Sequence, residues 1–179
     1  LHNCELSSSK NNDRFTKVLA EMVDKFQTDV TSYLEQSTNE TYTQPTEDVQ
    51  ARIAELTQFE KRVNELENTR DDYTRYEEVL QVNEASNFNN VDKLKTEVTM
   101  RILLWKTLTE WRDSSQEWIA LPFVNINAKE LGQKADQFTK SVYRIEKNLP
   151  ESSVIMDLKK SVHNFREAIP VVTALRSPF

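Results

Sequence analysis

The sequence predicts an all-α fold: an elongated helical bundle of about five long helices with coiled-coil-like packing. Apolar residues recur at steps of three, four and seven through five segments. A single glycine, Gly132, occurs in 179 residues, which argues against tight hairpins, because these need positive φ. Charged residues make up 29% of the chain, enough to solvate the outer faces of long amphipathic helices.

Residues 1–12 are polar and rich in serine and asparagine, so a frayed end or loop is expected there. A first helix is expected from about Asp13 to Glu35, with Phe15, Val18, Met22, Phe26, Val30 and Tyr33 as one apolar stripe. Ser37 to Pro45 reads as a loop. Thr46 is the expected N-cap of a second helix reaching about Val82, with Glu47 and Asp48 at the positive end of its dipole. Val49, Leu56 and Val63 hold one heptad position; Phe59, Leu66, Tyr73 and Leu80 hold the other. Arg52, Arg70 and Glu77 break the pattern. Such a helix would span roughly 55 Å at 1.5 Å per residue. That exceeds what a compact globule of this mass needs, and favours a coiled-coil-like hairpin or elongated bundle.

Glu84 to Asn90 is a second polar break, and Asn89 or Asn90 can cap the third helix. Val91, Leu94, Val98, Ile102 and Trp105 share one face of it. Trp111 and Trp118 share another with Leu104, about 120° away. A helix apolar on two sides is sandwiched between neighbours. Pro122 ends it. Asn127, with Glu130 three residues on, opens a fourth helix carrying Leu131, Ala135, Phe138, Val142, Ile145 and Leu149, and Pro150 stops it. Ser152 or Ser153 caps a fifth, carrying Val154, Leu158, Val162, Phe165 and Ile169. Pro170 is expected to interrupt that helix by removing a backbone donor. Val172 and Leu175 continue its stripe. No internal repeat stands out.

The chemistry of catalysis is thin, and no catalytic, cofactor-binding or metal-ligating residue is assigned. One glycine cannot build a Walker A loop or a dinucleotide fingerprint in this segment. His2 and His163 lie far apart, against a His-based triad or zinc site. His163 borders an apolar face and reads as a partly buried, hydrogen-bonded histidine. Glu60, Glu65 and Glu67 read as solvated charges with Lys61 and Arg62 as local partners. Cys4, the only cysteine, forms no internal disulfide and reads as inert, in a cytosolic or nuclear chain. Asn39-Glu40-Thr41 reads as a chance glycosylation sequon. There is no signal peptide and no apolar run long enough to cross a bilayer. A net charge of −6 disfavours nucleic acid. The three tryptophans weigh core packing against an aromatic cage; their helical spacing favours the core, since a cage needs rings from several elements. The start at Leu1 and the stop at Phe179 are those expected of a segment cut from something larger.

From about residue 73 on, an ordered series of motifs resembles the tail-to-linker region of dynein heavy chains. It begins with Tyr76-Glu77-Glu78-Val79-Leu80, then Leu104-Trp105 with Leu108 and Glu110-Trp111, then Trp118 before Pro122-Phe123. It continues as Ile145-Glu146-Lys147-Asn148-Leu149-Pro150, the spaced Val154 and Leu158, and Ile169-Pro170-Val171-Val172 running into Ala174-Leu175-Arg176-Ser177-Pro178. The chain departs from the family's usual glycine at Asn148 and asparagine at Ser152 and Ser177. The Tyr-Glu-Glu-Val-Leu element is more similar to axonemal than to cytoplasmic dyneins.

What the resemblance implies is part of a microtubule motor. In that family a downstream AAA+ ring uses ATP and Mg, and the linker arching over it delivers the power stroke to the tail. Residues 1–86 would be a helical tail or neck segment, and 87–179 the N-terminal part of the linker. The segment itself would hold no cofactor and be no enzyme; its job would be force transmission. Its partners would be the rest of the heavy chain, other dynein subunits and, indirectly, microtubules, with neither nucleic acid nor membrane. The expected location is the cytoplasm and cytoskeleton, in the axoneme of a cilium or flagellum. Trp105, Trp111, Trp118, Pro122, Phe123, Leu149, Pro150, Pro170, Leu175, Arg176 and Pro178 would be structural anchors and boundaries. The rival reading is a spectrin-like or coiled-coil scaffold without a motor.

Overall fold

The computed structural model describes residues 2–122 and 127–176. Among them are five α-helices, one 3-10 turn and no strand. The helices are α1 (His2–Ser37), α2 (Val49–Val79), α3 (Asn89–Ala120), α4 (Ala128–Asn148) and α5 (Ser153–Arg176); the 3-10 turn is Glu40–Tyr42. The fold is therefore all-α, as the periodicity predicts. The chain forms two compact units. One combines the residues up to Thr38 with Gln58–Thr96, the other Asn39–Thr57 with the residues from Glu97 on.

In the first unit, α1 begins at His2, so the polar start is helical and not a loop. It contains neither glycine nor proline, and nothing stops the backbone ladder from running through it. The buried stripe of α1 also differs from the expected one. Leu19, Val23, Phe26 and Val30 are buried, while Phe15, Val18 and Met22 are exposed. Both stripes share Phe26 and Val30, so spacing alone could not choose between them. The choice follows the partners: Phe26 meets Tyr73 edge-on at 5.4 Å and Phe88 at 5.9 Å.

The heptad of α2 holds, with Val49, Leu56, Val63 and Leu66 buried. Its apparent breaks lie on the same seam, since Arg70 and Glu77 follow Val63 at steps of seven. Each is partnered. Arg70 reaches Asp92 at 2.6 Å and Asp71 at 3.0 Å. Partial burial alone would lower the Arg70 pKa, but the hydrogen bonds and charges of Asp71 and Asp92 together raise it above the ordinary arginine value. Glu77, only 7% exposed, accepts hydrogen bonds from the Ser86 amide at 3.0 Å and from the Ser86 hydroxyl. The carboxylate thereby ties the loop before α3 to α2. On the outer side, hydrogen bonds from Arg62 to Tyr33 and then to Glu65 raise the Arg62 pKa. Glu67 is not a locally paired surface charge; it takes Lys95 of α3 at 2.8 Å.

The ends of α2 show how the chain manages with one glycine. Asp48, not Thr46, is the N-cap: its Oδ1 accepts the Ala51 amide at 2.9 Å, while the Thr46 hydroxyl accepts only from the Asp48 amide at 3.3 Å. At the other end the Val82 amide donates to the Glu77 carbonyl and the Gln81 amide to the Glu78 carbonyl. That is a Schellman motif. Its left-handed position is filled by Gln81, at φ 52°. A Cβ there costs about 1–2 kcal/mol. Before α3, neither Asn89 nor Asn90 is the capping side chain: Asn87 Oδ1 accepts the Asn89 amide at 2.9 Å.

In the second unit, α3 is buried on both sides from Glu97 on. Val98, Arg101, Ile102 and Trp105 lie on one side; Met100, Leu104, Thr107, Trp111 and Trp118 on the other. On α4 the expected stripe is buried at Ala135, Phe138, Val142 and Ile145. Asn127 caps it through the Glu130 amide at 3.4 Å, and the helix ends at Asn148, ahead of Pro150. Ser152 caps α5 through the Ile155 amide. Pro170 does not interrupt α5, which continues to Arg176. Proline removes one N–H and so one bond of the ladder. The Arg166 carbonyl that loses it sits on an exposed turn, where water can satisfy it.

Three stability effects follow. Gln81→Gly should raise the stability of the folded chain by about 1 kcal/mol, by removing the left-handed strain. Gly132→Ala, with open space around the new methyl group, should add about 1 kcal/mol through helix propensity. Glu77→Ala should cost about 1–3 kcal/mol, by stranding the Ser86 donors. Urea unfolding of the three variants measures all of these, and a neutral Glu77→Ala would show that the carboxylate ties nothing down.

Candidate functional site

Two of the three tryptophans that the sequence singles out meet other rings in the second unit. Trp111 and Trp118 project from one face of α3, seven residues apart. Phe138 from α4 and Phe165 from α5 meet them. Trp111 stands edge-on to Phe138 at 5.3 Å, to Phe165 at 5.4 Å and to Trp118 at 6.0 Å. Trp118 stacks on Phe165 at 4.7 Å with 24° between planes, and meets Phe138 edge-on at 6.4 Å. Each such pair contributes about 0.5–1.5 kcal/mol beyond area burial. The cluster thus binds three helices through four rings.

The two tryptophans lie in a core, as their helical spacing favours, with rings from two further helices joining them. The cage reading fails on geometry. The rings fill the space against one another, and the nearest cation, the Lys134 ammonium, stands outside at 5.8 Å from the Trp118 ring. Trp105 takes no part in these ring pairs. It is fully buried on the other side of α3, and its Nε1 donates to no described residue.

Other expected anchors divide. Leu149 is buried, and Pro150 lies just beyond the last residue of α4. Pro122 is exposed after the end of α3. Pro170 lies inside α5, and Leu175 is exposed. Arg176 is the last residue of α5. Phe123 and Pro178 lie outside the described residues, as do the side chains of His2, Cys4 and Arg176.

The sequence reading missed Arg101 in this unit and took Arg52 only as a break in the α2 heptad. Arg101 is buried and pairs with Glu97 one turn earlier at 2.8 Å. The signal was present: Arg101 sits between Val98 and Trp105 at steps of three and four, with a glutamate at i−4. Arg52, on the heptad seam of α2, lies over the Tyr42 ring at 5.5 Å and reaches Glu55 at 3.7 Å. Phe138 and Phe165 were read only as members of their own stripes. His163 is exposed, not partly buried, and lines a shallow groove between α4 and α5 with Tyr143, Lys159 and Arg166.

Among the described residues, no three His, Cys, Asp or Glu side chains converge to hold a metal. No helix among them is long and apolar enough to cross a membrane. The arrangement is a packing centre. The family described as "Dynein heavy chain, N-terminal region 2" matches residues 91–179, which contain the whole cluster. The chain belongs to the dynein heavy chains. Human dynein axonemal heavy chain 6 is 32% identical over 106 residues, 59% of this chain and 2% of that protein. Dynein axonemal heavy chain 1 of mouse and of human are each 23% identical over 97 residues, 52% of this chain and 2% of each relative. This dynein segment therefore spans about 2% of the length of the curated relatives it matches.

Truncating the central ring should be costly. Trp111→Ala is expected to destabilise the segment by about 3–5 kcal/mol, as for other buried aromatics cut to alanine. Leu175→Ala should stay within about 0.5 kcal/mol, as for an exposed side chain. Chemical unfolding of both variants tests this; equal midpoints would remove Trp111 from the role of anchor.

Proposed function

We propose that this chain is a force-transmitting helical segment of a microtubule motor, joining the dynein heavy-chain tail to the linker that delivers the ATP-driven power stroke. Residues 1–86 belong to the tail or neck, and 87–179 to the N-terminal part of the linker. The ATPase lies elsewhere in the heavy chain, in its AAA+ ring, with ATP and Mg. The partners are that ring, the tail, the other dynein subunits and, through them, microtubules. The axonemal names of the relatives support a place in a cilium or flagellum.

The observation that carries this reading is the four-ring cluster. A joint that transmits force must not let its helices slide. Interlocked rings from α3, α4 and α5 resist sliding, because any shear exposes large apolar faces. The continuity of α2 and α3 supports it as well: neither contains glycine or proline, the usual causes of sharp kinks. Trp105, Leu149 and Pro150 serve as further anchors and boundaries. A non-motor scaffold accounts for the heptads but not for the family match over the tryptophan and proline motifs.

In the full heavy chain, Trp111→Ala should leave ATP turnover within about twofold while microtubule gliding slows about threefold or more, the loss expected when a coupling element loosens. Unchanged gliding by a variant with a loosened cluster would sink the lever reading. The 179-residue chain alone should give no heat of ATP binding by calorimetry; stoichiometric binding would place a nucleotide site in this segment.

A further inference from the structure

The α4–α5 pair carries a groove that the aromatic cluster does not use. It encloses about 370 Å³ between the two helices. Val142 of α4 and Val162 of α5 are buried at its floor. Tyr143, 66% exposed, and His163 form its walls. Two ion pairs link the helices here: Glu146 with Lys159 at 2.6 Å, and Asp136 with Arg166 at 3.3 Å. Met156, 61% exposed, lies two turns before His163 and so on the same side of α5.

The rim of this groove is cationic. Its acids Glu146 and Asp136 already have partners. Lys140 and Lys147, three before and four after Tyr143, stand on the α4 shoulder, and Lys160, three before His163, on that of α5. All three are exposed. Glu167, four after His163, is the one further acid on this side among the described residues. Residues 128–179 hold nine Lys and Arg against six Asp and Glu, whereas residues 1–127 hold 14 against 23. A basic face thus sits on an otherwise acidic chain. A carboxylate gains charge-assisted contacts at such a rim, and a cation does not. A polyanion without apolar groups would leave Tyr143 and Met156 uncovered.

We infer that this groove is the docking site of an acidic amphipathic helix belonging to a separate protein. The helix lies along the groove and sets apolar anchors at i, i+3 or i+4, and i+7 against Val142, Tyr143, Val162 and Met156. It turns carboxylates toward Lys140, Lys147 and Lys160. Lys140 and Lys147 stand roughly 10 Å apart along α4 at 1.5 Å per residue, which matches carboxylates seven residues apart on the partner. The charge favours a separate chain. Opposite charge speeds the arrival of a partner that must diffuse in. A permanently attached neighbour needs no such steering and covers a predominantly apolar seam. The acidic remainder of this chain repels the same helix, which directs it to α4 and α5. The site stands on the geometry of these two helices and not on the lever reading.

The probe is a fluorescein-labelled peptide of about 15 residues, with leucine at i, i+4 and i+7 and glutamate on both flanks. It is titrated into the 179-residue chain and into the full heavy chain, and followed by fluorescence polarisation. Binding should saturate in both. It should weaken about tenfold or more when lysine replaces the glutamates of the peptide, and equally in the double variant Lys140→Glu, Lys147→Glu. Tyr143→Ala should weaken it about tenfold, as loss of an interface aromatic does. These three side chains are exposed, so the unfolding midpoints of the variants should stay at that of the parent chain. A lysine peptide that binds as well, or an acidic peptide that ignores both variants, overturns the proposal. So does a full heavy chain that fails to bind, because the heavy chain then covers its own groove. Retention on phosphatidylserine vesicles that Lys140→Glu, Lys147→Glu abolishes also overturns it, because the face then reads lipid.

Discussion

The edge-to-face contact of Trp111 with Phe138 and Phe165 is what holds α3, α4 and α5 of the second unit in one arrangement. Aliphatic side chains could bury similar area, but they tolerate repacking and rotation. Aromatic rings offer few rotamers and directional contacts, so four interlocked rings specify crossing positions as well as adding burial. The caps of α4 and α5, the turn at Pro150 and the stripe Val142–Ile145 against Val154–Leu158 all act within the geometry that the cluster sets. Stiffness is thereby concentrated where α3, α4 and α5 meet.

A second constraint is the placement of charges on apolar seams. Arg52, Arg70, Glu77 and Arg101 all occupy positions that a simple heptad or stripe reserves for aliphatics. Burying a charge is costly unless it is paired and hydrogen-bonded. Arg70, Glu77 and Arg101 have such partners: Asp92 and Asp71, Ser86, and Glu97. Arg52 instead rests on the Tyr42 ring, with Glu55 at the longer distance of 3.7 Å. An apolar seam without such charges accepts many registers, because one leucine packs much like another. A seam containing Glu77 is satisfied only where Ser86 arrives, and one containing Arg70 only where Asp92 does. These groups select register more than they add stability, as polar residues do at coiled-coil core positions.

How much of this was legible depended on whether one element could decide the matter alone. The helices α4 and α5 begin and end close to where their caps and Pro150 dictate, because capping is local. The two-sided burial of α3 was readable from the wheel, since no single face could hold Val98, Trp105, Leu104 and Trp111. The phase of α1 was not: Phe15, Val18 and Met22 form as good a stripe as Leu19 and Val23, and only the position of Tyr73 and Phe88 distinguishes them. Likewise the tryptophans announced a core. That Phe138 and Phe165 would complete it required the relative depth of three helices, which spacing along one helix does not contain. Pro170 misled for a related reason. A missing N–H breaks a helix only when the orphaned carbonyl cannot reach water, and exposure is a property of the fold.

The distribution of glycine-like and glycine-free positions bears on how such a segment could carry load. Bending along a helix concentrates where a hydrogen bond is missing or a backbone position is permissive. The long helices α2 and α3 hold no such point, and even the turn after α2 is closed by Gln81 instead of glycine, at a cost in strain. Glycine there would relieve the strain and also loosen the turn in the unfolded and partly opened states. Accepting the strain narrows the conformations available to the connection between two helices. The permissive points are displaced to Gly132, near the start of α4, and Pro170, in the exposed half of α5. Bending within α4 and α5 should therefore concentrate at these two positions, while the rings of Trp111, Phe138 and Phe165 hold the middle of the three helices against one another.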